Sequence, residues 1–173
     1  MVGLSTPLLA TPVDAQIGLG ANLGEPLRNC QQALLMLDKQ PHVTVTACSS
    51  WYRTEPLGPQ QPDYINGAAT LTTTLSPLAL LALLLDVEQQ MGRDRHREQR
   101  WGPRALDLDL LFYADLLLDH PQLILPHPQL HLRRFVLQPL GEIIPTKRHP
   151  KLGKTVDTLL SEVEDRGQVE RLS

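Results

Sequence analysis

The stretch RWGPRALDLDLL, residues 100–111, carries the strongest structural signal in this sequence. Its second half alternates leucine with aspartate, and this period of two predicts a β-strand over residues 106–113 with one buried face. In a strand, side chains at positions i and i+2 lie on the same face, about 6.6 Å apart. Asp107 and Asp109 should therefore lie side by side, while the leucines between them pack into the core.

A run of arginines comes immediately before the two aspartates. Paired carboxylates suit Mg²⁺, which prefers oxygen ligands and takes its remaining ligands from water and substrate phosphates. Arginines are suited to neutralising phosphate oxygens. For either feature alone, a solvated edge strand or an exposed charged loop is the simpler interpretation. Their adjacency favours polyphosphate chemistry, because the metal and the arginines would reach the same anion. The arginines are Arg93, Arg95, Arg97, Arg100 and Arg104.

Strand-like and helix-like segments alternate along the rest of the chain. Short links between strands favour an α+β sandwich over a doubly wound parallel sheet. Two prolines break up residues 1–14, which we interpret as a flexible leader, and residues 15–173 as a single domain. Further strands are expected over residues 15–19, 43–52 and 66–75, and helices over about 26–40, 77–91 and 155–164.

The composition favours a globular domain and argues against a nucleic-acid-binding or membrane-spanning protein. The 173 residues, 42% hydrophobic and 20% charged, are typical of a globular domain. A net charge of -3 argues against a nucleic-acid partner. The longest apolar stretch, residues 78–85, is far shorter than the roughly 20 residues of a membrane-spanning helix. Cys30 and Cys48 match no zinc or disulfide framework, which favours a reducing, cytoplasmic compartment.

Other signatures of phosphate binding or catalysis are missing. Residues 18–24 are rich in glycine but lack the GxGxxG spacing, so we interpret them as a structural turn. The serines, cysteines and histidines show no pattern that indicates a nucleophile or a zinc site. Direct metal-assisted transfer is the simplest chemistry. The alternatives are a Mg²⁺-dependent polyphosphate hydrolase and a nucleic-acid module that stacks bases on Trp101.

Residues 100–111 also resemble the signature of a known family. The order basic residue, any residue, Gly-Pro-Arg, two residues, Asp-aliphatic-Asp and two aliphatic residues is similar to that of the 6-hydroxymethyl-7,8-dihydropterin pyrophosphokinases of folate biosynthesis. The resemblance implies a ferredoxin-like α/β sandwich around a mainly antiparallel sheet. It also implies transfer of pyrophosphate from ATP to the pterin hydroxymethyl group, with release of AMP. Further matching segments are IGLGANL (17–23), SSWYRT (49–54), PLGP (56–59), QPDYIN (61–66) and PH (126–127).

The same resemblance implies roles for individual residues. Asp107 and Asp109 would hold two Mg²⁺ ions, and Arg93 and Arg95 would act from a mobile loop. The substrates would be ATP and the hydroxymethyldihydropterin, bound by a monomer with no nucleic-acid or membrane partner. The implied catalytic residues are Arg93, Arg95, Arg104, Asp107 and Asp109. The implied ATP ligands are Glu88, Arg93, Arg95, Arg104, His127 and Arg133. The implied pterin ligands are Thr54, Leu57, Tyr64, Asn66 and Phe135, with Tyr64 and Phe135 on either side of the ring.

Overall fold

A computed structural model describes residues 7–173 of the chain. Along these residues, runs of strands are separated by helices. The strands are β1 (Leu8–Ala21), β2 (Val43–Cys48), β3 (Tyr52–Thr54), β4 (Tyr64–Leu75), β5 (Asp107–Tyr113), β6 (Leu118–His120), β7 (Leu123–Leu125) and β8 (Val169–Arg171). The helices are α1 (Pro26–Asp38), α2 (Pro77–Gln90), α3 (Arg134–Ile143) and α4 (Val156–Glu162), with a short 3₁₀ helix at Leu130–Leu132.

Helix α2 begins and ends where its local sequence predicts. The Ser76 hydroxyl accepts a hydrogen bond from the backbone N–H of Ala79 at 3.3 Å, and Pro77 occupies the first turn, where its missing N–H costs nothing. The helix stops before Gly92, whose φ of 92° favours glycine. None of the helices in residues 7–173 has the length and apolar character needed to cross a bilayer.

The main sheet is antiparallel throughout and has the order β5-β1-β4-β3-β8. Strand β2 also pairs with β4, beyond the segment of β4 that β3 covers. Strands β6 and β7 form a separate hairpin. The single strand predicted over residues 43–52 is therefore wrong in detail, because the chain leaves the ladder between β2 and β3. The predicted α+β sandwich around an antiparallel sheet is confirmed.

Helices cover the two faces of the sheet and enclose two clusters of buried side chains. The inward residues of β1 and β5, such as Ile17 and Leu108, pack with Leu37 of α1 and Leu84 of α2. On the opposite face, residues of β4 and β5 pack with α3 and α4. Full burial of one such leucine stabilises the fold by about 1.5–3 kcal/mol. These clusters fix β5 on both of its faces.

A bulge in β5 sets how its side chains divide between the two faces. Ile17 of β1 pairs with Leu110 and Gln16 pairs with Phe112, so Leu111 has no direct partner. Leu110 lies in the first cluster, whereas Leu111 and Phe112 both lie in the second. A bulge reverses the alternation of a strand in this way. The two aspartates precede the bulge, so they keep the predicted alternation and face away from α1 and α2.

The flexible leader predicted over residues 1–14 is wrong from Leu8 onward, because β1 begins there. The backbone carbonyl of Asp14 accepts a hydrogen bond from Ala114 N–H at 2.8 Å, and its carboxylate accepts one from the Thr72 hydroxyl at 2.7 Å. Sheet pairing overrides the two prolines because this end of β1 is an exposed edge extension, where proline is tolerated. Residues 1–6 of the predicted leader lie outside the described residues.

Candidate active site

A cavity of about 370 Å³ opens on the sheet face that carries the two aspartates. Its floor is formed by β1, β4 and β5, and its walls by β3, the start of α3 and the loops before β4, before β5 and after β7. The lining residues are Gly18, Leu19, Gly20, Thr54, Glu55, Leu57, Tyr64, Asn66, Gly67, Arg100, Trp101, Arg104, Asp107, Asp109, Leu111, His127, Arg133, Phe135 and Val136. One cavity thus collects residues from nearly the whole chain.

The two aspartates line this cavity together but have different surroundings. One oxygen of Asp107 accepts a hydrogen bond from Arg93 Nη1 at 2.7 Å, and the other accepts one from Arg104 Nη1 at 3.1 Å. Among residues 7–173, the side chain of Asp109 has no comparable ion pair. Burial, and secondarily the charge of Asp107, raise the pKa of Asp109 to about 7. The pair therefore favours a bound cation that would relieve this repulsion.

The five residues implied as pterin ligands all line the cavity. Thr54 and Asn66 are buried, and Asn66 Nδ2 donates a hydrogen bond to the Thr54 hydroxyl at 2.5 Å. Tyr64 is anchored by a hydrogen bond from its hydroxyl to the Gly102 carbonyl at 3.0 Å. An amide and a hydroxyl next to aromatic side chains suit a flat heterocycle with a hydrogen-bonding edge.

The amino-acid sequence of the chain matches a known protein family. The family model described as 7,8-dihydro-6-hydroxymethylpterin-pyrophosphokinase (HPPK) matches residues 16–145. The chain belongs to this family. Two relatives named 2-amino-4-hydroxy-6-hydroxymethyldihydropteridine pyrophosphokinase support the assignment. The one from Synechocystis is 49% identical over 87% of this chain and 76% of its own length, and the one from Pseudomonas aeruginosa is 43% identical over 90% and 94%.

Solved structures support the HPPK fold. A chain of wild-type Plasmodium falciparum HPPK-DHPS superimposes with a TM-score of 0.70 at 15% identity, over 88% of this chain. The A437G variant of that protein gives a TM-score of 0.72 over 91% of this chain. The present chain spans 43% and 46% of those two longer chains. At this level of identity the likeness concerns the fold alone.

Arg93, implied as a catalytic residue and ATP ligand in a mobile loop, does not line the cavity of this HPPK. Its side chain is 3% exposed and pairs with Glu88, with Glu98 at 2.9 Å and with Asp107 at 2.7 Å. Glu88, implied as an ATP ligand, is 1% exposed and is occupied by this pairing and by Arg95 at 3.0 Å. A buried guanidinium needs such partners because an unpaired charge is costly to bury. Arg93, itself held by Glu88, therefore supports Asp107 from behind.

Arg95 and Arg104 are more exposed than Arg93, and only Arg104 lines the cavity. Arg95 is half-exposed and lies outside the cavity lining, next to Glu88. Arg104 lines the cavity, and its backbone is fixed by Asn22, whose Oδ1 accepts the Arg104 N–H at 2.8 Å. Asn22 also donates to Gln61 Oε1 and to the Pro62 carbonyl, each at 2.9 Å. The buried Asn22 thus joins three loops around the site.

The glycine-rich segment is not the simple turn that the sequence analysis predicted. Gly18 and Gly20 lie within β1 and line the cavity. A Cβ at Gly20 would lie 2.7 Å from Asn66 Oδ1, so only glycine leaves room for this amide. The loop that follows, at residues 22–25, is the turn. Sequence reasoning had no signal for this contact, because Gly20 and Asn66 meet only across the ladder of β1 and β4.

Trp101 is a cavity residue that the implied site omitted. It has a φ of 63° and is 41% exposed at the rim. The Arg133 guanidinium carbon lies 5.7 Å from the centres of both the Trp101 and the Phe135 rings. A Cβ at Gly58 would lie 2.6 Å from Trp101 Cβ, so the proline-rich loop needs glycine there. Trp101 lies inside the family signature, but at a position where the signature allows any residue, and the sequence analysis considered it only as a base-stacking residue of a nucleic-acid module.

His127 lines the cavity in a defined tautomer. Its Nδ1 accepts a hydrogen bond from the Gln129 N–H at 3.1 Å, so Nε2 carries the proton of the neutral ring. Burial, together with the charge of Arg133, lowers the pKa of His127 below its ordinary value. The imidazole is therefore neutral at pH 7 and presents one N–H donor, which suits a phosphate oxygen.

Proposed function

We propose that this HPPK transfers the pyrophosphoryl group of ATP to the hydroxymethyl oxygen of 6-hydroxymethyl-7,8-dihydropterin. The acceptor oxygen attacks the β-phosphorus and releases its hydroxyl proton to solvent, the bond from that phosphorus to the oxygen shared with the α-phosphorus breaks, and AMP leaves with the bonding electron pair. The observation that carries the proposal is a single cavity with two unlike walls. One wall has the carboxylate pair and arginines, and the other has aromatic rings and a hydrogen-bonding amide.

Mg²⁺ fits the carboxylate wall by the chemistry of its donors. Asp107 and Asp109 are hard oxygen ligands on one strand face, and residues 7–173 contain no larger His/Cys/Asp/Glu cluster that would form a closed site. A site with few protein ligands is typical of Mg²⁺ that is bound together with nucleotide phosphates. We propose that the two aspartates hold two Mg²⁺ ions with ATP. The ions would neutralise charge on the triphosphate.

Other residues of the chain would bind the phosphates of ATP or recognise the pterin. Arg104 and Arg133 would hold phosphate oxygens, and the His127 Nε2–H would donate a hydrogen bond to another. On the opposite wall, Asn66 and Thr54 would read the edge of the pterin, and such polar reading rejects analogues far more strongly than apolar contact does. Because both substrates share a cavity of about 370 Å³, the walls hold acceptor and donor close together.

The pterin wall favours transfer over hydrolysis. A polyphosphate hydrolase needs a positioned water but no recognition wall for a heterocycle. The test is to incubate the protein with ATP, Mg²⁺ and the pterin, and to separate the nucleotides. We expect AMP in an amount equal to pterin diphosphate. ADP as the main product would exclude pyrophosphoryl transfer, and nucleotide consumption that does not depend on the pterin would support the hydrolase.

We also propose that the enzyme works as a cytoplasmic monomer with small-molecule substrates only. Both cysteines are unpaired, and burial raises the pKa of the Cys30 thiol to about 12, as suits an unreactive thiol in a reducing compartment. Sedimentation of the protein at micromolar concentration tests the oligomeric state.

A further inference from the structure

The first turn of α3 lines the cavity but lacks a cap of its own. Arg133 occupies the N-cap position, its side chain makes no capping hydrogen bond, and the first turn contains no acidic residue. The first backbone N–H groups of a helix have no partner within the helix, and its N-terminus carries partial positive charge. Two arginines, Arg133 and Arg134, add to that charge. Local sequence alone therefore opposes this helix start.

Asp165 supplies the missing cap from 31 positions along the chain. Its Oδ2 accepts the backbone N–H of Arg134 at 3.0 Å, and its backbone carbonyl accepts Arg134 Nε at 3.1 Å. Its other carboxylate oxygen accepts the N–H of Gly167 at 2.9 Å, which fixes the turn that presents it. The carboxylate thus satisfies an unpaired N–H and offsets the positive charge at the start of α3.

The segment around Asp165 is also attached to the opposite wall. Val163 is buried in the cluster beneath α3, and β8 pairs with β3 so that Val169 lies opposite Thr54. The N–H of Leu172 donates to the Trp51 carbonyl at 2.8 Å. Residues 163–172 therefore join the start of α3 to β3. These two elements contribute Phe135 and Thr54 to the cavity.

We propose that Asp165 is a positioning residue for pterin binding, acting through the first turn of α3. This proposal rests on the proposed function of the cavity. Asp165 lies beyond residues 16–145, which the family model matches, and it does not line the cavity. Pterin affinity should depend on it more than ATP affinity does. Among the residues proposed to hold ATP, Arg133 adjoins this turn, whereas Asp107 and Arg104 are held by Arg93 and Asn22 in other parts of the chain.

The test compares two variants that each remove one helix cap. Asp165→Ala removes the cap of α3, and Thr155→Ala removes that of α4, where the Thr155 hydroxyl accepts the Thr158 N–H at 3.2 Å. Both should lower the melting temperature, since both lose a cap on the same side of the sheet. Only Asp165→Ala should raise the KM and the dissociation constant for the pterin, by roughly tenfold, with kcat nearly unchanged.

Asp165→Asn is a milder variant that can be tested if Asp165→Ala does not fold. It keeps a side-chain oxygen near the Arg134 N–H but removes the charge, so we expect a smaller loss of pterin affinity. Calorimetric titration of the pterin, with a nucleotide analogue already bound, measures this without turnover. An unchanged pterin affinity in folded Asp165→Ala or Asp165→Asn, or an equal loss in Thr155→Ala, would overturn the proposal. Wild-type protein that binds the pterin but does not transfer pyrophosphate would instead overturn the proposed function.

Discussion

The two walls of the cavity are built in different ways. The charged wall comes mostly from one stretch of chain, residues 100–109, and the buried Glu88–Arg93 pair holds its Asp107 from behind. The pterin wall is assembled from remote elements, with Thr54, Asn66 and Phe135 held by contacts across the sheet and by the C-terminal segment. Ion pairs hold the first wall in place, and packing across the sheet holds the second. Substitutions in the two walls should therefore affect activity, stability and pterin affinity differently.

The largest effect is expected at the two aspartates. Asp109→Asn keeps the size of the side chain but removes a negative Mg²⁺ ligand, so we expect a loss of about 4 kcal/mol in transition-state stabilisation, or roughly a thousandfold in kcat/KM. Asp107→Asn should cost as much activity. It should also lower stability, because Arg93 and Arg104 lose a partner. Turnover at saturating Mg²⁺ and melting curves without metal measure both quantities. Near-normal turnover in both variants would show that Asp107 and Asp109 bind no catalytic metal and are only a solvated face of the strand.

The next effect concerns the network behind the aspartates. Glu88→Gln removes the charge that faces Arg93 in a pair with side chains 1% and 3% exposed, and we expect a loss of about 3 kcal/mol in the free energy of unfolding. The matched control is Asp94→Asn, which breaks the exposed pair with Arg97 in the same loop and should cost less than about 0.5 kcal/mol. Urea unfolding compares the two. Equal losses of unfolding free energy in the two variants would show that the buried ion pair contributes no more to stability than the exposed one.

A smaller effect is expected on the pterin wall, where two glycines of β1 provide a matched pair. Gly20→Ala places a Cβ 2.7 Å from Asn66 Oδ1, so the amide must move and pterin affinity should fall by about 1–2 kcal/mol. Gly18→Ala places a Cβ at an ordinary 3.5 Å from Leu111 and should bind the pterin normally. ATP affinity should change little in either variant. Loss of ATP affinity in Gly20→Ala would mean that the two walls are not separable.

The last expected effect is a pH dependence of stability that arises on the charged wall. Burial raises the pKa of Asp109 from 3.8 to about 7, so between these values the folded protein binds more protons than the unfolded chain. The free energy of unfolding therefore falls as the pH rises through this window. Asp109→Asn does not titrate there. Without metal, it should melt above the wild type at pH 8 and close to it at pH 4.

Asp119→Asn is the control for losing one negative charge, because Asp119 lies at an exposed position of β6. Melting curves of the three proteins at both pH values decide the matter. A stability difference between Asp109→Asn and the wild type that is the same at pH 4 and pH 8 would contradict the raised pKa. Added Mg²⁺ with a nucleotide analogue should reverse the order at pH 8, since the wild type alone keeps both ligands.

The sequence by itself determined the charged wall, because its features depend on short-range geometry. Alternation along β5 places Asp107 and Asp109 on one face whatever surrounds the strand, and Ser76 and Pro77 set the start of α2 in the same way. The family signature likewise occupies adjacent positions. The sequence could not predict which charged side chains of this stretch are buried. Nothing local distinguishes Arg93, which is enclosed by three carboxylates, from Arg95, two positions later, which is half-exposed.

Only the tertiary structure decided which distant residues complete the site. Gly20 needs to be small because strand register places Asn66 opposite it. Trp101 joins the pterin wall because the loop folds it against Gly58 and Arg133. The start of α3 is stabilised by Asp165, which no local capping pattern could indicate. Each of these contacts joins segments far apart in the chain, and their distances depend on the packing of the whole sheet rather than on the period of any one element.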